Sequence, residues 1–552
     1  MCSSTIHSLV VETTNGPVRG KLVRKENVTY YAYQGIPYAE PPTGDLRFKP
    51  PVSKQSWTDV LNATREGPVC PQAEGNYRRE QMSEDCLYLN IYVPTKQTQG
   101  ALPALAYVHG GEFKRLSGSE DVIYGPQLLL ERDVIFININ YRLGALGFLS
   151  LDTKDASGNA GIKDVQLALN WINNNIERFG GSRQQITLGG NSAGSALAHF
   201  LLLSEKSKDL FQRAILISGS ALGYRFLVRH PKKNAIALAK QLCIMDNNTE
   251  DILKKLKYVD AFDIVKAQQN MGNGDERGAI RPFAPFVPSI EIEYPEAFIT
   301  RKPLNIIKDG IPVNVPLLVG FNAQEGLKML PTILKNYSLI KELNDNFERC
   351  IPSNIQYPIG SEASIQLAKS IQRFYFNDMN ITNETLPNFI NLTTDTQFSY
   401  SIDSWIKYHK ERSDSNTLYY YVFDFDGQLN FAKISSSISA PGTSHADELG
   451  YLFVTRATRA RLRQLDQRSL RMLNIWLSIT SNFMKYGNPT RGSDFSWTAA
   501  NEKTRNHLHL NTDPKTIRNA PIQERLSFWY DVYDKYYEYV RSGGALEDKS
   551  IP

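Results

Sequence analysis

Short, almost wholly apolar runs at residues 104–108, 134–140, 186–188 and 214–218 alternate along the chain with helix-like stretches, of which 165–178 is the most clearly amphipathic. Runs of this length rich in Val, Ile, Leu and Ala, with helical patterns between them, predict crossover connections and a mostly parallel sheet covered on both faces. Further strands are predicted at 315–320 and 418–425. Leu473, Trp476, Leu477, Thr480 and Met484 fall at helical spacing within 469–484, which predicts a helix packed on that sheet. Gly and Pro are scattered as turn punctuation, with no repeat period and no low-complexity linker. The expectation is therefore one domain over residues 1–552, ending in a short polar tail at about 542–552.

Composition narrows the class. The chain has 552 residues, of which 41% are hydrophobic and 22% charged, so it has enough apolar material for a large core. The 62 Lys+Arg exceed the 57 Asp+Glu by only five, with no block of like charge, which gives no electrostatic case for nucleic acid or a membrane surface. No apolar run is long enough to span a membrane, and residues 1–7 carry no basic, then apolar, leader pattern. A cytoplasmic protein is expected on this numbering, or a secreted one if a leader precedes it; seven Asn-x-Ser/Thr sites lean weakly towards secretion. Five cysteines cannot all pair within one chain, and none has a metal-site spacing.

The candidate chemistry begins at Gly190-Asn191-Ser192-Ala193-Gly194, placed between a strand and a helix of small residues. Strand, GxSxG and helix form the setting of a nucleophile elbow, with Ser192 at its tip. A serine hydroxyl needs a base, and the base needs an acid that fixes its tautomer. His445, in a loop after the strand at 418–425, is the candidate base; His199, within the helix after the serine, reads as a packed or capping histidine. Glu325 follows a strand end, where a parallel sheet delivers functional groups. Taken alone it would read as a solvated loop carboxylate, but the chain order Ser192, Glu325, His445 matches that of α/β-hydrolases. The Gly110-Gly111 pair closes another strand and offers backbone N–H groups for an oxyanion, joined by that of Ala193.

These motifs, with Gln34-Gly-Ile-Pro-Tyr-Ala-Glu-Pro-Pro42, Ser83-Glu-Asp-Cys-Leu-Tyr-Leu-Asn90, Asn140-Tyr-Arg-Leu-Gly-Ala-Leu-Gly-Phe148, Gly158-Asn-Ala-Gly161 and Asn175-Ile-Glu-Arg-Phe-Gly-Gly181, resemble a type-B carboxylesterase of the carboxylesterase and cholinesterase family, most like its insect members. The resemblance runs over nearly the full length. It implies an α/β-hydrolase fold with gorge-forming insertions and no cofactor or metal. It also implies hydrolysis of hydrophobic carboxylic esters, xenobiotic, lipid-like or of a hormone or odorant, through an acyl-enzyme. By position it makes Ser192 the nucleophile and target of organophosphate inhibitors, His445 the base, Glu325 the orienting carboxylate, and Gly111, Glu112 and Ala193 the oxyanion donors. Cys70 and Cys86 occupy the family's first disulfide loop, whereas Cys2, Cys243 and Cys350 are expected as free thiols. A monomer or weak homo-oligomer is expected.

Departures from the family pattern refine this. Asn191 stands where cholinesterases have Glu, the loop from Cys70 to Cys86 has no Trp, and Leu327-Lys328-Met329 replaces aromatics, so choline esters are not expected substrates. In the stretch 281–288, Ala284 suggests room for an acyl group larger than acetyl. Glu112 replaces a small residue of the oxyanion loop. Either its carboxylate reaches the acyl carbon and activates water, or it points away or pairs with Lys114 or Arg115. Asp447 and Glu448 beside the base read as structural. The rival class is a binding protein, either a neuroligin-like adhesion member or a slow esterase that sequesters its ligand.

Overall fold

The computed structural model describes residues 9–96, 100–271, 284–412 and 417–542. Cys2, the segment 543–552 of the polar tail and residues 281–283 of the stretch around Ala284 lie outside the described residues.

An eleven-stranded sheet runs through the molecule. Its central strands are Ile135–Ile139, Leu102–Val108, Gly181–Asn191, Arg213–Ile217, Leu317–Asn322, Leu418–Phe423 and His507–Leu510, in that spatial order and all parallel. Tyr88–Pro94, Val28–Pro37 and Lys21–Lys25 extend one edge antiparallel, and Lys515–Ile517 the other. Every residue of Leu102–Val108, Ile135–Ile139 and Leu418–Phe423 is buried, as expected for strands with helices on both faces. One face carries the helix Ala160–Asn175 and the other Gln467–Tyr486. The latter starts where the Asp466 carboxylate accepts the Ser469 N–H (2.6 Å) and stops at Gly487 in the left-handed region. Among the described residues no helix is long and apolar enough to cross a membrane.

The strand predicted at 186–188 is longer than its apolar core. Gly181–Asn191 begins with the polar Gly-Ser-Arg-Gln-Gln and pairs Gly181 with Leu102 before a register shift resumes pairing at Ile186 with Ala104. Of those first residues Gly181 alone is paired, and the polar residues 182–185 fall in the irregularity between the two paired stretches.

Several other motif residues are structural latches. Arg142 gives two guanidinium nitrogens and its backbone N–H to the Asp164 carboxylate (2.6, 2.8 and 3.0 Å) in a fully buried pair. Asn159 takes the Ser289 N–H and donates to the Ser289 carbonyl and to Glu291. Breaking one partner of such a pair strands the other without solvent, which costs several kcal/mol.

Cys70 and Cys86 are disulfide-bonded, their Cα atoms 5.0 Å apart, while Cys243 is free and exposed and Cys350 free and buried. The bond closes a loop between residues 16 apart in sequence. Replacing both cysteines by serine is expected to remove about 3 kcal/mol of stability through the entropy of the unfolded chain, read as a lower urea midpoint. An unshifted midpoint would show that packing of the loop, not the bond, holds it.

Candidate active site

Ser192 sits at the tip of the turn between Gly181–Asn191 and the helix Ala193–Leu202, with φ 55° and ψ −120°, a conformation that L-residues avoid. The surrounding turn leaves no room to relax. A Cβ on Gly194 would lie 2.1 Å from the Val108 carbonyl oxygen, and one on Gly190 would lie 2.5 Å from the Gly194 backbone. The helix therefore starts pressed against the end of strand Leu102–Val108, and all ten of its residues are buried. Ser192 is only 5% exposed, and its N–H donates to the Ile217 carbonyl of the next strand (2.8 Å).

The loop at 109–113 lies on the same rim. Gly111 has φ +108°, and a Cβ there would meet the Arg115 carbonyl oxygen at 2.0 Å; Glu112 and Phe113 both follow at positive φ. This turns the loop tightly, with the Lys114 and Arg115 N–H groups donating to the Gly111 carbonyl. Among the described residues, the N–H groups of Gly111 and Ala193 meet no acceptor in the protein. Tyr124 joins loop to elbow: its hydroxyl accepts the Gly110 N–H and donates to Asn191 Oδ1 (3.2 and 3.0 Å). Asn191 is thus spent on holding the turn.

Glu325 opens a short helical turn directly after Leu317–Asn322 and is fully buried. One carboxylate oxygen accepts the Asn322 N–H (2.9 Å) and the Ser218 hydroxyl (2.5 Å); the other lies 2.5 Å from His445 Nδ1. His445 is held by its own loop: Thr443 N–H donates to Gln324, Ser444 N–H to Asp447, and Asn322 Nδ2 to the Ser444 carbonyl. The Phe398 ring lies 4.6 Å from the imidazole. The three residues singled out in the sequence therefore stand beyond the C-terminal ends of parallel strands of one sheet, on one rim.

Electrostatics separates the two glutamates here. Glu448 receives Asn322 Nδ2, and Ser218 Oγ lies 3.4 Å from it; burial, with the negative Glu325 nearby, pushes its carboxyl well above the usual range. That environment disfavours a charge on Glu448, and it is Glu325 whose second carboxylate oxygen meets the imidazole. Burial lowers the His445 pKa below its ordinary 6.5, helped by the charges of Lys328 and Arg225 and opposed by Glu325.

Glu112 is ion-paired. Its carboxylate lies 2.9 Å from Lys114 Nζ and 3.6 Å from Arg225 Nη2. Burial works to raise its pKa, but Arg225, Lys328, Lys114 and Arg115 together hold it well below the usual carboxylate range. A carboxylate so stabilised as an anion is a poor proton acceptor, so of the two expectations for Glu112 the geometry favours pairing. His199 is a packed histidine: Nδ1 accepts the Ala221 N–H (3.1 Å), the ring lies 4.4 Å from Trp405, and burial takes its pKa down to about 3. Ser218, Arg225 and Phe398 escaped the sequence reading, since a strand-end serine, a loop arginine and a helical phenylalanine carry no local signal.

Among known proteins, the model of the carboxylesterase family matches residues 7–529. The juvenile hormone esterase of Tribolium castaneum is 31% identical over 96% of this chain and 94% of its own, and that of Heliothis virescens 32% over the same shares. Esterase B1 of Culex pipiens is 31% identical over 96% of this chain and 99% of its own. The crystal structure of juvenile hormone esterase from Manduca sexta, with OTFP covalently attached, superposes with a TM-score of 0.83 at 29% identity, covering 95% of this chain and 99% of that one. With the family model spanning all but the ends of the sequence and a solved relative sharing its fold nearly end to end, the chain belongs to the carboxylesterase family and is a carboxylic-ester hydrolase built on the α/β-hydrolase fold.

Proposed function

We propose that the ester is cleaved by Ser192, with His445 as base and later acid, Glu325 as the carboxylate that orients it, and the N–H groups of Gly111, Glu112 and Ala193 facing the oxyanion. The observation that carries this reading is the 2.5 Å contact of His445 Nδ1 with Glu325, at the rim where the strained Ser192 stands. Ser192 Oγ attacks the carbonyl carbon as His445 Nε2 takes its proton, and collapse of the tetrahedral intermediate passes that proton to the departing alcohol. Water, deprotonated by the same imidazole, then releases the acid. Organophosphates would phosphorylate Ser192 by the first half of this path.

Hydrophobic esters are the proposed substrates, with a hormone-type ester favoured by the two juvenile hormone esterases among the relatives. Choline esters fit poorly: Lys328 Nζ lies 4.6 Å from the Phe398 ring beside His445, placing positive charge where a quaternary ammonium would seek the opposite. In pre-steady-state mixing with p-nitrophenyl butyrate, a burst of one p-nitrophenol per chain followed by sustained turnover is expected. A burst with no steady rate would make the protein a ligand sequesterer, and no burst would remove the acyl-enzyme as an accumulating species.

The base must be neutral to work, and burial together with Lys328 and Arg225 favours the neutral form. The acidic limb of kcat/KM is therefore expected below pH 6.5, and Lys328→Met should move it upward. A limb in the parent enzyme at or above that value would contradict the assignment of His445.

A further inference from the structure

A cavity of about 900 Å³ opens beside the rim, and Ser192, Glu325 and His445 are not among the residues that line it. Its rim-side wall is the segment after strand Arg213–Ile217 together with Thr396 and Gln397. Arg225 stands in this partition: it lines the cavity, its Nη1 donates to Gln397 (2.5 Å), and its Nη2 faces Glu112 of the oxyanion loop.

The lining is unbalanced in charge. Arg225, Arg229, Lys233, Arg301 and Lys302 meet one carboxylate, Asp152, among the described lining residues. Asp309 engages Arg301 outside, and Glu112 engages Arg225. Arg229 binds the Asn354 carbonyl through Nη2 (2.7 Å), and exposed Lys233 stands at the mouth. The lining is also apolar and aromatic: Tyr400 and Tyr533 stack with centroids 4.5 Å apart, Tyr533 Oη donates to the Asn354 side chain beside Arg229, and Leu222, Leu227 and Leu304 add aliphatic surface. Excess cations in a concave space of low dielectric focus a positive potential, and arginine matches a carboxylate with paired N–H donors. Apolar walls with few charged groups suit a ligand with a long apolar body and a single anionic end.

We propose that this cavity is a second binding site, distinct from the ester site, for an amphipathic carboxylate whose head lies against Arg229 and Lys233 and whose chain lies along Tyr400 and Tyr533. Calorimetric titration with dodecanoate tests it, with dodecanol as the neutral control. Dodecanoate is expected to bind at least about tenfold more tightly than dodecanol, and Lys233→Glu to weaken it by about tenfold, the scale of one charge-assisted contact, while p-nitrophenyl acetate turnover stays unchanged. Dodecanoate should still bind after reaction with diethyl p-nitrophenyl phosphate. Equal binding of acid and alcohol, an unaffected Lys233→Glu variant, or loss of binding after that reaction would each overturn the proposal. Failure of the reagent to label Ser192 would count instead against the proposed nucleophile, and dodecanoate would then be displaced against p-nitrophenyl butyrate, with competitive behaviour overturning the second site.

Discussion

Ester turnover by Ser192→Ala is expected to fall by roughly four to six orders of magnitude in kcat, to the floor left by oxyanion donors and binding alone. Among the described residues, no hydrogen bond that holds the fold uses the Ser192 hydroxyl. Its backbone strain at φ 55° and ψ −120° is met equally by alanine, so the variant should keep the parent's unfolding midpoint. His445→Ala should reach the same floor, and the double variant should go no lower, because serine and base act as one unit. Steady-state assays with p-nitrophenyl butyrate on protein purified free of host esterases decide it. A Ser192→Ala variant retaining more than about 1% of the parent rate, a loss of under 3 kcal/mol in transition-state stabilisation, would mean that another group attacks the ester.

The parts of this molecule readable in its sequence are those whose physics is local or periodic. Leu102–Val108 and Arg213–Ile217 announce themselves because a strand buried on both faces must be apolar throughout. The elbow is legible because its two glycines answer a steric demand within five residues. By contrast, His507–Leu510 reads His-Leu-His-Leu and becomes the neighbour of Leu418–Phe423 only through a partner some 85 residues earlier, with His509 bound to Asp424. Glu112 shows the same limit at the site. Lys114, two residues on, could be named from the sequence, whereas Arg225 becomes its neighbour only once strand Arg213–Ile217 takes its place in the sheet. The pairing of Cys70 with Cys86 came from resemblance, since five cysteines leave many connectivities open.

Glu325→Gln is expected to lower kcat by about four orders of magnitude while leaving KM nearly unchanged, and Glu448→Gln to lower it by less than about tenfold. Both side chains are buried carboxyls beside Ser218 and Asn322, so volume and burial do not distinguish them. Charge does. Burial beside Glu325 pushes the Glu448 carboxyl well above the usual range, towards the neutral form that an amide imitates. Glu325 lies against Nδ1 of the imidazole, and in the proposed mechanism it is the acceptor that keeps the proton on Nδ1 and leaves Nε2 free to accept one. A glutamine can satisfy Ser218 and the Asn322 N–H through its carbonyl oxygen. The NH2 it then turns towards the imidazole favours the tautomer with Nδ1 bare and Nε2 protonated, which cannot take the serine's proton. The loss should therefore appear in kcat and in the acidic limb of the pH profile, with the unfolding midpoint little changed. Equal losses in the two variants would show that the glutamates share one structural role, and the orienting carboxylate would have to be sought elsewhere on the rim.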